Sequence, residues 1–144
     1  MSQENVEIVR RYYDTLARLG GAGGPELPRE AVEEAVAVWS EDGEWRPEAA
    51  ALVEGSSFRG HEGLRRFFTM LAEVMESVEI RLDKICPTDQ GAVALGRLRA
   101  RGRGSRAEIE EEHGVVYEIR DGLIIRATSY RDCGKALEAA GLSE

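Results

Sequence analysis

The sequence has 144 residues, of which 42% are hydrophobic and 32% are charged, and its net charge is −8 at pH 7. This length and balance are typical of one folded domain, so we expect residues 1–144 to form a single domain. An acidic surface repels phosphate backbones and anionic lipids, which predicts no nucleic-acid partner and no membrane partner.

The first residues of the chain favour a cytoplasmic protein. Residues 1–7 are acidic and contain no apolar stretch of the kind that a signal peptide needs. No run approaches the roughly 20 apolar residues of a membrane span. We therefore expect a cytoplasmic location, where the thiols of Cys86 and Cys133 stay reduced.

Three amphipathic helices are predicted in the first half of the chain. The first ends at the glycine-rich stretch 20–25, because glycine costs entropy and proline lacks a donor. The second begins at Pro28 and its apolar face reaches Trp39. The third begins near residue 60. Its apolar stripe consists of Leu64, Phe67, Phe68, Leu71, Met75 and Val78.

Beyond the third helix the apolar residues alternate with polar ones, a spacing that predicts strands. Strands are expected over 79–83, 93–98, 108–119 and 123–130, with a short strand earlier at 44–46. Residues 101–106 form a turn-rich tip, and Asp121-Gly122 is a strong hairpin signal. Asp132 is expected to cap a short final helix.

This order of elements predicts the fold class. Helices followed by hairpin-linked strands define an α+β domain with an antiparallel sheet, which buries one face against the helices. We expect a strongly curved antiparallel sheet wrapped by three helices, cone-shaped and enclosing an internal pocket.

Three stretches of the sequence resemble the SnoaL-like branch of the nuclear transport factor two-like superfamily. They are Phe58-Arg59-Gly60-His61-Glu62-Gly63-Leu64-Arg65-Arg66-Phe67, Arg120-Asp121-Gly122-Leu123-Ile124 and the ending over 131–142. The resemblance covers nearly the whole chain and implies a curled sheet wrapped by three helices, usually dimeric. Members include polyketide cyclases, ketosteroid isomerases, dehydratases and epoxide hydrolases, and many have no known reaction.

The resemblance to ketosteroid isomerases identifies three positions. Tyr12 falls where those enzymes carry a helix tyrosine. Arg46, just before Pro47, stands in place of their general-base aspartate, and Val115 lies near their second aspartate. One of the three groups is therefore kept.

The resemblance to the other enzymes of the family identifies positions on the strands. The aspartate and histidine of the cyclases correspond to Ser129 and Ala127. The arginine and aspartate that epoxide hydrolases place on a central strand correspond to a strand that carries Arg97 and Arg99 without an acid.

His113 is the leading catalytic candidate from the residues themselves. The strand period of two places it on one face with Val115, Tyr117 and Ile119. If that face lines the pocket, a neutral imidazole there can act as a general base. The alternatives are a hydrogen-bonded core histidine and a histidine at a dimer interface.

Tyrosines supply the second group of catalytic candidates. Tyr12 and Tyr13 are adjacent on the first helix, and we expect only one of them to face the pocket. A phenol of Tyr12 or Tyr117 can donate a hydrogen bond to a developing oxyanion. The alternative is packing in an aromatic core.

Ligand contacts are expected at the pocket mouth and on the strands. Arg46, beside Trp45, and Arg97 are candidates to hold an anionic group, although an exposed or ion-paired arginine is the alternative for both. The full set of predicted ligand contacts is Trp45, Arg46, Phe68, Arg97, Val115, Ala127 and Ser129. No cluster of metal ligands is seen, so no metal and no cofactor are expected.

Two functions follow from these features. The first is a small-molecule pocket protein that acts as a cofactor-independent isomerase, cyclase, dehydratase or hydrolase on a mostly apolar substrate. The alternative is a non-catalytic ligand-binding or dimerisation domain. In both cases we expect a small-molecule ligand in the pocket and a homodimer formed through the sheet.

Overall fold

The computed structural model describes residues 2–20, 28–47, 57–104 and 107–142. The helices are α1 (Ser2–Gly20), α2 (Arg29–Ala37), α3 (Gly60–Val74) and α4 (Cys133–Ala139). The strands are β1 (Trp39–Arg46), β2 (Phe58–Arg59), β3 (Met75–Pro87), β4 (Gly91–Gly102), β5 (Glu108–Arg120) and β6 (Leu123–Tyr130).

The strands form one six-stranded sheet in the order β2-β1-β6-β5-β4-β3. Neighbouring strands are antiparallel except for β1 and β6, which run parallel. The predicted α+β class and curved sheet are confirmed, with two differences. One strand pair is parallel, and the short final helix α4, which was predicted, packs on the sheet as well as the three helices that wrap it.

Irregular pairing bends the long strands. The β3–β4 register shifts near Met75 and again after Leu82, and the β5–β6 register shifts before Ile119. Such bulges bend and twist a strand. Gly96 allows a close approach of the strands, because a Cβ atom there would lie 2.1 Å from the Arg81 carbonyl oxygen.

The two faces of the sheet are covered differently. The main core lies between α1, α2 and α3 and one face, and includes Trp39, Val115, Tyr117 and Ile124. On the other face a smaller cluster forms where Ala136 of α4 packs among strand residues. Alternation along β4 and β5 supplies both faces with apolar side chains.

Two element boundaries differ from the prediction. Trp39 begins β1 instead of ending α2, and pairs with Ile124 of β6. Met75 and Val78 belong to β3 and not to the third helix. Their three-residue spacing fits the apolar stripe of a helix, but pairing with β4 along the whole of β3 outweighs that local preference.

The end of the chain follows the prediction. Asp121 and Gly122 both have positive φ, as a tight hairpin turn requires. The Asp132 carboxylate accepts hydrogen bonds from the backbone nitrogens of Gly134 and Lys135, which confirms the cap of α4. In the part of the chain that is described, no helix combines the length and apolar character that crossing a bilayer takes.

Candidate functional site

A cavity of about 580 Å³ lies between the sheet and the helices α1 and α3. This volume is within the range of small-molecule sites. Its wall is mostly apolar and includes six aromatic rings. These belong to Tyr12, Tyr13, Trp45, Phe67, Phe68 and Tyr117.

A buried chain of hydrogen bonds forms the main polar feature of this wall. Tyr117 of β5 donates its hydroxyl hydrogen to the Tyr13 oxygen over 2.8 Å. The Tyr13 hydroxyl in turn lies 2.7 Å from Nε2 of His113. Because Tyr13 accepts from Tyr117, its own hydrogen goes to Nε2, and the hydrogen of neutral His113 is then on Nδ1.

Burial controls the protonation of all three groups. It lowers the pKa of His113 to about 4, so the imidazole is neutral near pH 7. It raises the pKa values of Tyr13 and Tyr117, so both phenols keep their hydrogen. The hydrogen-bonded chain therefore carries no net charge near neutral pH.

One atom of this chain is unpaired. His113 is only 6% exposed, and its Nδ1 has no hydrogen-bond partner among the residues that the structure describes. Buried polar atoms are normally paired, so such a nitrogen in a cavity wall points to a missing water or ligand.

Both adjacent tyrosines of α1 line the cavity, which corrects the expectation that only one would. Successive side chains are about 100° apart on a helix, and the apolar stripe that faces the core is at least that wide. Tyr13, and not Tyr12, makes the hydrogen bonds to His113 and Tyr117. The sequence analysis had named Tyr12, the tyrosine that does not make these two hydrogen bonds.

Edge-to-face ring packing fixes these side chains. The Tyr13 ring lies 5.7 Å from the His113 ring and 6.1 Å from that of Tyr117. Tyr12 packs on Trp39 in the same manner, with 6.2 Å between ring centroids. Such contacts hold the hydroxyl groups in place before any ligand arrives.

Most of the other predicted ligand contacts also line the cavity. Trp45, Phe68, Val115 and Ser129 belong to its wall, together with His113 and Tyr117. Ala127 does not, because it is completely buried in the main core. It pairs with Tyr117 and Trp45 on the strands on either side.

Neither predicted arginine reaches the cavity. Arg46 instead pairs with the buried Glu44 carboxylate, with Nε 3.1 Å from an Oε atom. Arg97 is exposed, because the strand alternation that turns Leu98 toward the cavity turns its neighbour away. The site as described therefore offers no guanidinium to hold an anionic group.

Carboxylates that the sequence analysis did not select occur in the wall. Glu111 is half-buried there, and Glu76 and Glu79 are exposed at its edge. Burial raises the pKa of Glu111, an effect that Arg131 partly opposes. The period of two that placed His113 inward also places Glu111 inward, so this residue was predictable. In the described ranges no group of His, Cys, Asp and Glu side chains is arranged to hold a metal ion.

A curved, open sheet covered by helices around an aromatic cavity defines the nuclear transport factor two-like class of proteins. Within this class, the family model described as a SnoaL-like domain matches residues 9–127. The chain therefore belongs to the SnoaL-like family. No curated protein matches the sequence.

Solved structures agree with this assignment of the fold. A nuclear transport factor two-like protein of unknown function from Burkholderia pseudomallei matches with a TM-score of 0.73 at 14% identity, over 95% of this chain and 97% of that chain. TerC, co-crystallised with polyporic acid, matches with a TM-score of 0.71 at 15% identity, over 95% and 97% of the two chains.

A third structure is a protein with a ketosteroid isomerase-like fold from Catenulispora acidiphila in complex with trimethylamine. It matches with a TM-score of 0.69 at 15% identity, over 94% of this chain and 93% of that chain. At identities this low the likeness shows the fold alone.

Proposed function

We propose that this protein binds a small, mostly apolar molecule in its cavity and that Tyr117, Tyr13 and His113 contact the polar group of that molecule. The observation that carries the proposal is the buried hydrogen-bonded chain in the wall of a 580 Å³ aromatic cavity. Polar groups that converge on an apolar pocket are typical of small-molecule sites. Two structurally similar proteins were solved with small organic molecules, which supports a ligand of this kind.

The same chain of groups suits proton transfer without a cofactor. A ligand hydrogen can pass to the Tyr117 oxygen while Tyr117 passes its own hydrogen to Tyr13 and Tyr13 passes its own to His113 Nε2. The ligand is then an anion and His113 an imidazolium, and the reverse shift returns a hydrogen to the ligand. Return to the same atom is a hydrogen exchange, and return to another atom is an isomerisation. The first half of the sequence can also start a cyclisation or a dehydration.

The low basicity of His113 sets a condition on this proton transfer. An imidazole with a pKa of about 4 is a weak base. The negative charge that develops on the ligand must therefore stabilise the imidazolium for the transfer to succeed. Tyr12, whose ring also lines the cavity, is our candidate for a further hydrogen bond to that charge.

Binding can be tested with a pair of probes that differ in one polar group. Naphthol and methylnaphthalene have nearly the same shape, and calorimetric titration measures the affinity of each. We expect naphthol to bind roughly fivefold to tenfold more tightly, as one additional hydrogen bond provides. Tyr117→Phe should remove that preference, because the ligand reaches the hydrogen-bonded chain at the Tyr117 oxygen.

Tyr130→Phe is the matched control, because Tyr130 packs in the outer cluster under α4 and not in the cavity. It should leave the preference intact. If neither probe enters the folded wild-type protein, the binding proposal is wrong.

Proton transfer has its own measurement. Tetralone, a bicyclic ketone, exchanges the hydrogens beside its carbonyl with deuterium from heavy water, and nuclear magnetic resonance follows the exchange. The protein should accelerate this exchange above the buffer rate, and His113→Gln should reduce the acceleration at least tenfold. If the His113→Gln protein accelerates the exchange as strongly as the wild type, His113 is not the base.

A non-catalytic ligand-binding domain is the second candidate. The observation that favours it is that the positions compared with catalytic aspartates of the family hold Arg46, Val115 and Ser129, and that the position compared with the cyclase histidine holds Ala127. This candidate predicts that naphthol binds and that tetralone exchanges at the buffer rate. The two measurements together therefore separate an enzyme from a binding protein.

We also propose that two copies associate through the outer sheet face. Arg99 and Glu110 are 3.6 Å apart on neighbouring strands there, and Arg101 and Glu108 form a second exposed pair. A two-fold axis across such a face brings the arginines of one copy to the glutamates of the other. Sedimentation should then detect a dimer that salt weakens. A monomer at low salt would show that this association does not occur.

The single domain over 1–144 and the cytoplasmic location remain predictions.

A further inference from the structure

The charge pattern of the cavity wall has a consequence for the ligand. Three glutamates line the cavity, and no lysine or arginine does so among the described residues. The one basic group in this wall, His113, is held neutral by burial. Arg131, the cation that acts on Glu111, does not line the cavity. An anionic ligand would therefore meet carboxylates without a guanidinium or ammonium group to contact.

We propose, on the basis of the function proposed above, that the cavity selects a ligand whose polar group is a cation, such as a protonated amine on an apolar body, over a ligand with a carboxylate. This inference reverses the charge that the sequence had suggested through Arg46 and Arg97.

Glu111 is the central residue of this proposal. It lies on β5 two positions before His113, on the same face of the strand, and it pairs across the sheet with Leu98 of β4. Leu98 and Ile80, the next residue in that row, also line the cavity. The carboxylate is therefore set in an apolar wall, where an attraction to a cation is stronger than in bulk water.

Glu76 and Glu79 are exposed at the edge of the cavity and lie on β3, which is separated from β5 by β4. Glu79 pairs across the sheet with Arg99 and alternates with Val78 and Ile80, so its side chain is on the outer face. Glu76 has a positive neighbour in Arg101. Their contribution to the site is smaller than that of Glu111 and is screened by salt.

Aromatic rings provide a second attraction for a cation. Six rings line the cavity, and the face of an aromatic ring attracts ammonium groups. The unpaired Nδ1–H of buried His113 is a donor, so it marks a place in the cavity for a water or for an acceptor atom of the ligand and not for the ammonium group itself. Burial raises the pKa of Glu111, and a bound ammonium group would lower it again.

Three naphthalene probes of nearly equal size test the charge preference. Naphthylmethylamine is a cation near neutral pH, naphthylmethanol is neutral, and naphthoate is an anion. Calorimetric titration at low salt should rank them in that order. We expect the amine to bind roughly tenfold more tightly than the alcohol, and the alcohol more tightly than naphthoate.

Two charge-neutralising variants locate the effect. Glu111→Gln should reduce the advantage of the amine over the alcohol at least threefold and leave the affinity for the alcohol unchanged. Glu110→Gln is the matched control, because it removes the same charge from the adjacent residue, which is exposed and pairs with Arg99. It should leave both affinities unchanged.

The possible results separate this inference from the function on which it rests. If no probe binds, the proposed pocket function is wrong. If naphthylmethanol binds but the amine binds no better, or naphthoate binds best, the pocket stands and the charge preference is wrong. If Glu110→Gln and Glu111→Gln weaken amine binding equally, the effect comes from net charge and not from the cavity wall, and the proposal is wrong.

Discussion

Tyr13 connects the helices to the sheet through polar contacts inside an otherwise apolar wall. It accepts a hydrogen bond from Tyr117 and donates one to His113 Nε2. Tyr13→Phe would leave a buried hydroxyl without its acceptor and a buried nitrogen without its donor. We expect it to lower the free energy of unfolding by about 2 kcal/mol, because unpaired buried polar groups are costly.

Urea unfolding near neutral pH measures this loss. Tyr130→Phe, outside the cavity, should change the free energy of unfolding by less than about 0.5 kcal/mol. Equal effects of the two substitutions would contradict the role assigned to the Tyr13 hydroxyl.

His113 gives stability a characteristic pH dependence. Its pKa is about 4 when folded and 6.5 for the ordinary group. Between these values the unfolded chain binds a proton that the folded chain does not, so stability falls as the pH is lowered from about 6.5 toward 4. The full loss is roughly 3 kcal/mol.

Urea unfolding across this range, on the wild type and on His113→Asn, isolates that contribution. The wild type should lose more stability than His113→Asn as the pH falls, because the asparagine does not titrate. Parallel curves would show that the imidazole is not kept neutral by burial.

The polar residues of the site were only partly predictable. The period of two along β5 identified His113, Val115 and Tyr117 as neighbours, because strand alternation is rigid. The same rule places Glu111 on that face, although it was not selected. The choice between Tyr12 and Tyr13 depended on the direction of each hydroxyl, which the packing of α1 on the sheet decides and no local pattern contains.

At the scale of elements, an ion cluster joins the strands at one end of the sheet. The buried Glu44 carboxylate on β1 meets Arg46 at 3.1 Å, Arg126 of β6 at 3.5 Å and Arg59 of β2 at 3.8 Å. Hydrogen bonding from Arg46 is the main reason that the pKa of Glu44 is lowered. This stabilisation is present above the unfolded pKa and is lost as the pH falls through the folded one.

Glu44→Gln should therefore lower the free energy of unfolding near neutral pH by about 1–2 kcal/mol. The estimate is below that for a fully buried pair, because the arginines reach solvent. In acid the difference between variant and wild type should shrink, and urea unfolding at two pH values measures it. Glu110→Gln, at an exposed pair, should have no measurable effect. A Glu44→Gln effect that is the same in acid would contradict the assigned ion pairing.

Gly96 of β4 lies opposite Leu82, beside the bulge in β3. A Cβ atom at position 96 would lie 2.1 Å from a backbone oxygen of Arg81, so Gly96→Ala must push the two strands apart. We expect a loss of more than about 2 kcal/mol. Gly104→Ala has open space but a φ of 84°, so it should cost only about 1 kcal/mol. Thermal unfolding compares the two variants. A larger loss for Gly104→Ala than for Gly96→Ala would mean that β3 and β4 can move apart at this point at little cost.

Element types were predicted better than element ends. The strands near 108–119 and 123–130 matched closely, because alternating residues and the Asp121-Gly122 turn specify them locally. The end of α3 was predicted too late, because the apolar spacing of the helix continues through Met75 and Val78, which belong to β3. The two-residue strand β2 exists only because Phe58 and Arg59 pair with β1, a partner that sequence alone does not identify.

For the molecule as a whole, the cavity is a compromise between packing and binding. A hollow of about 580 Å³ forfeits contacts that a filled core would make. Ala100 lies in its wall on β4, is only 3% exposed, and faces Ile109 across the sheet. Ala100→Leu would place additional apolar atoms in this space and should stabilise the fold by about 1 kcal/mol.

The same substitution should weaken naphthylmethanol binding roughly tenfold, because the leucine competes with the probe for volume. Thermal unfolding and calorimetric titration on one preparation measure both effects. Opposite changes in stability and affinity are the signature of a cavity that is kept open for a ligand. A variant that is less stable and binds equally well would mean that the leucine strains the sheet instead of entering the cavity, and that Ala100 does not bound the space the ligand occupies.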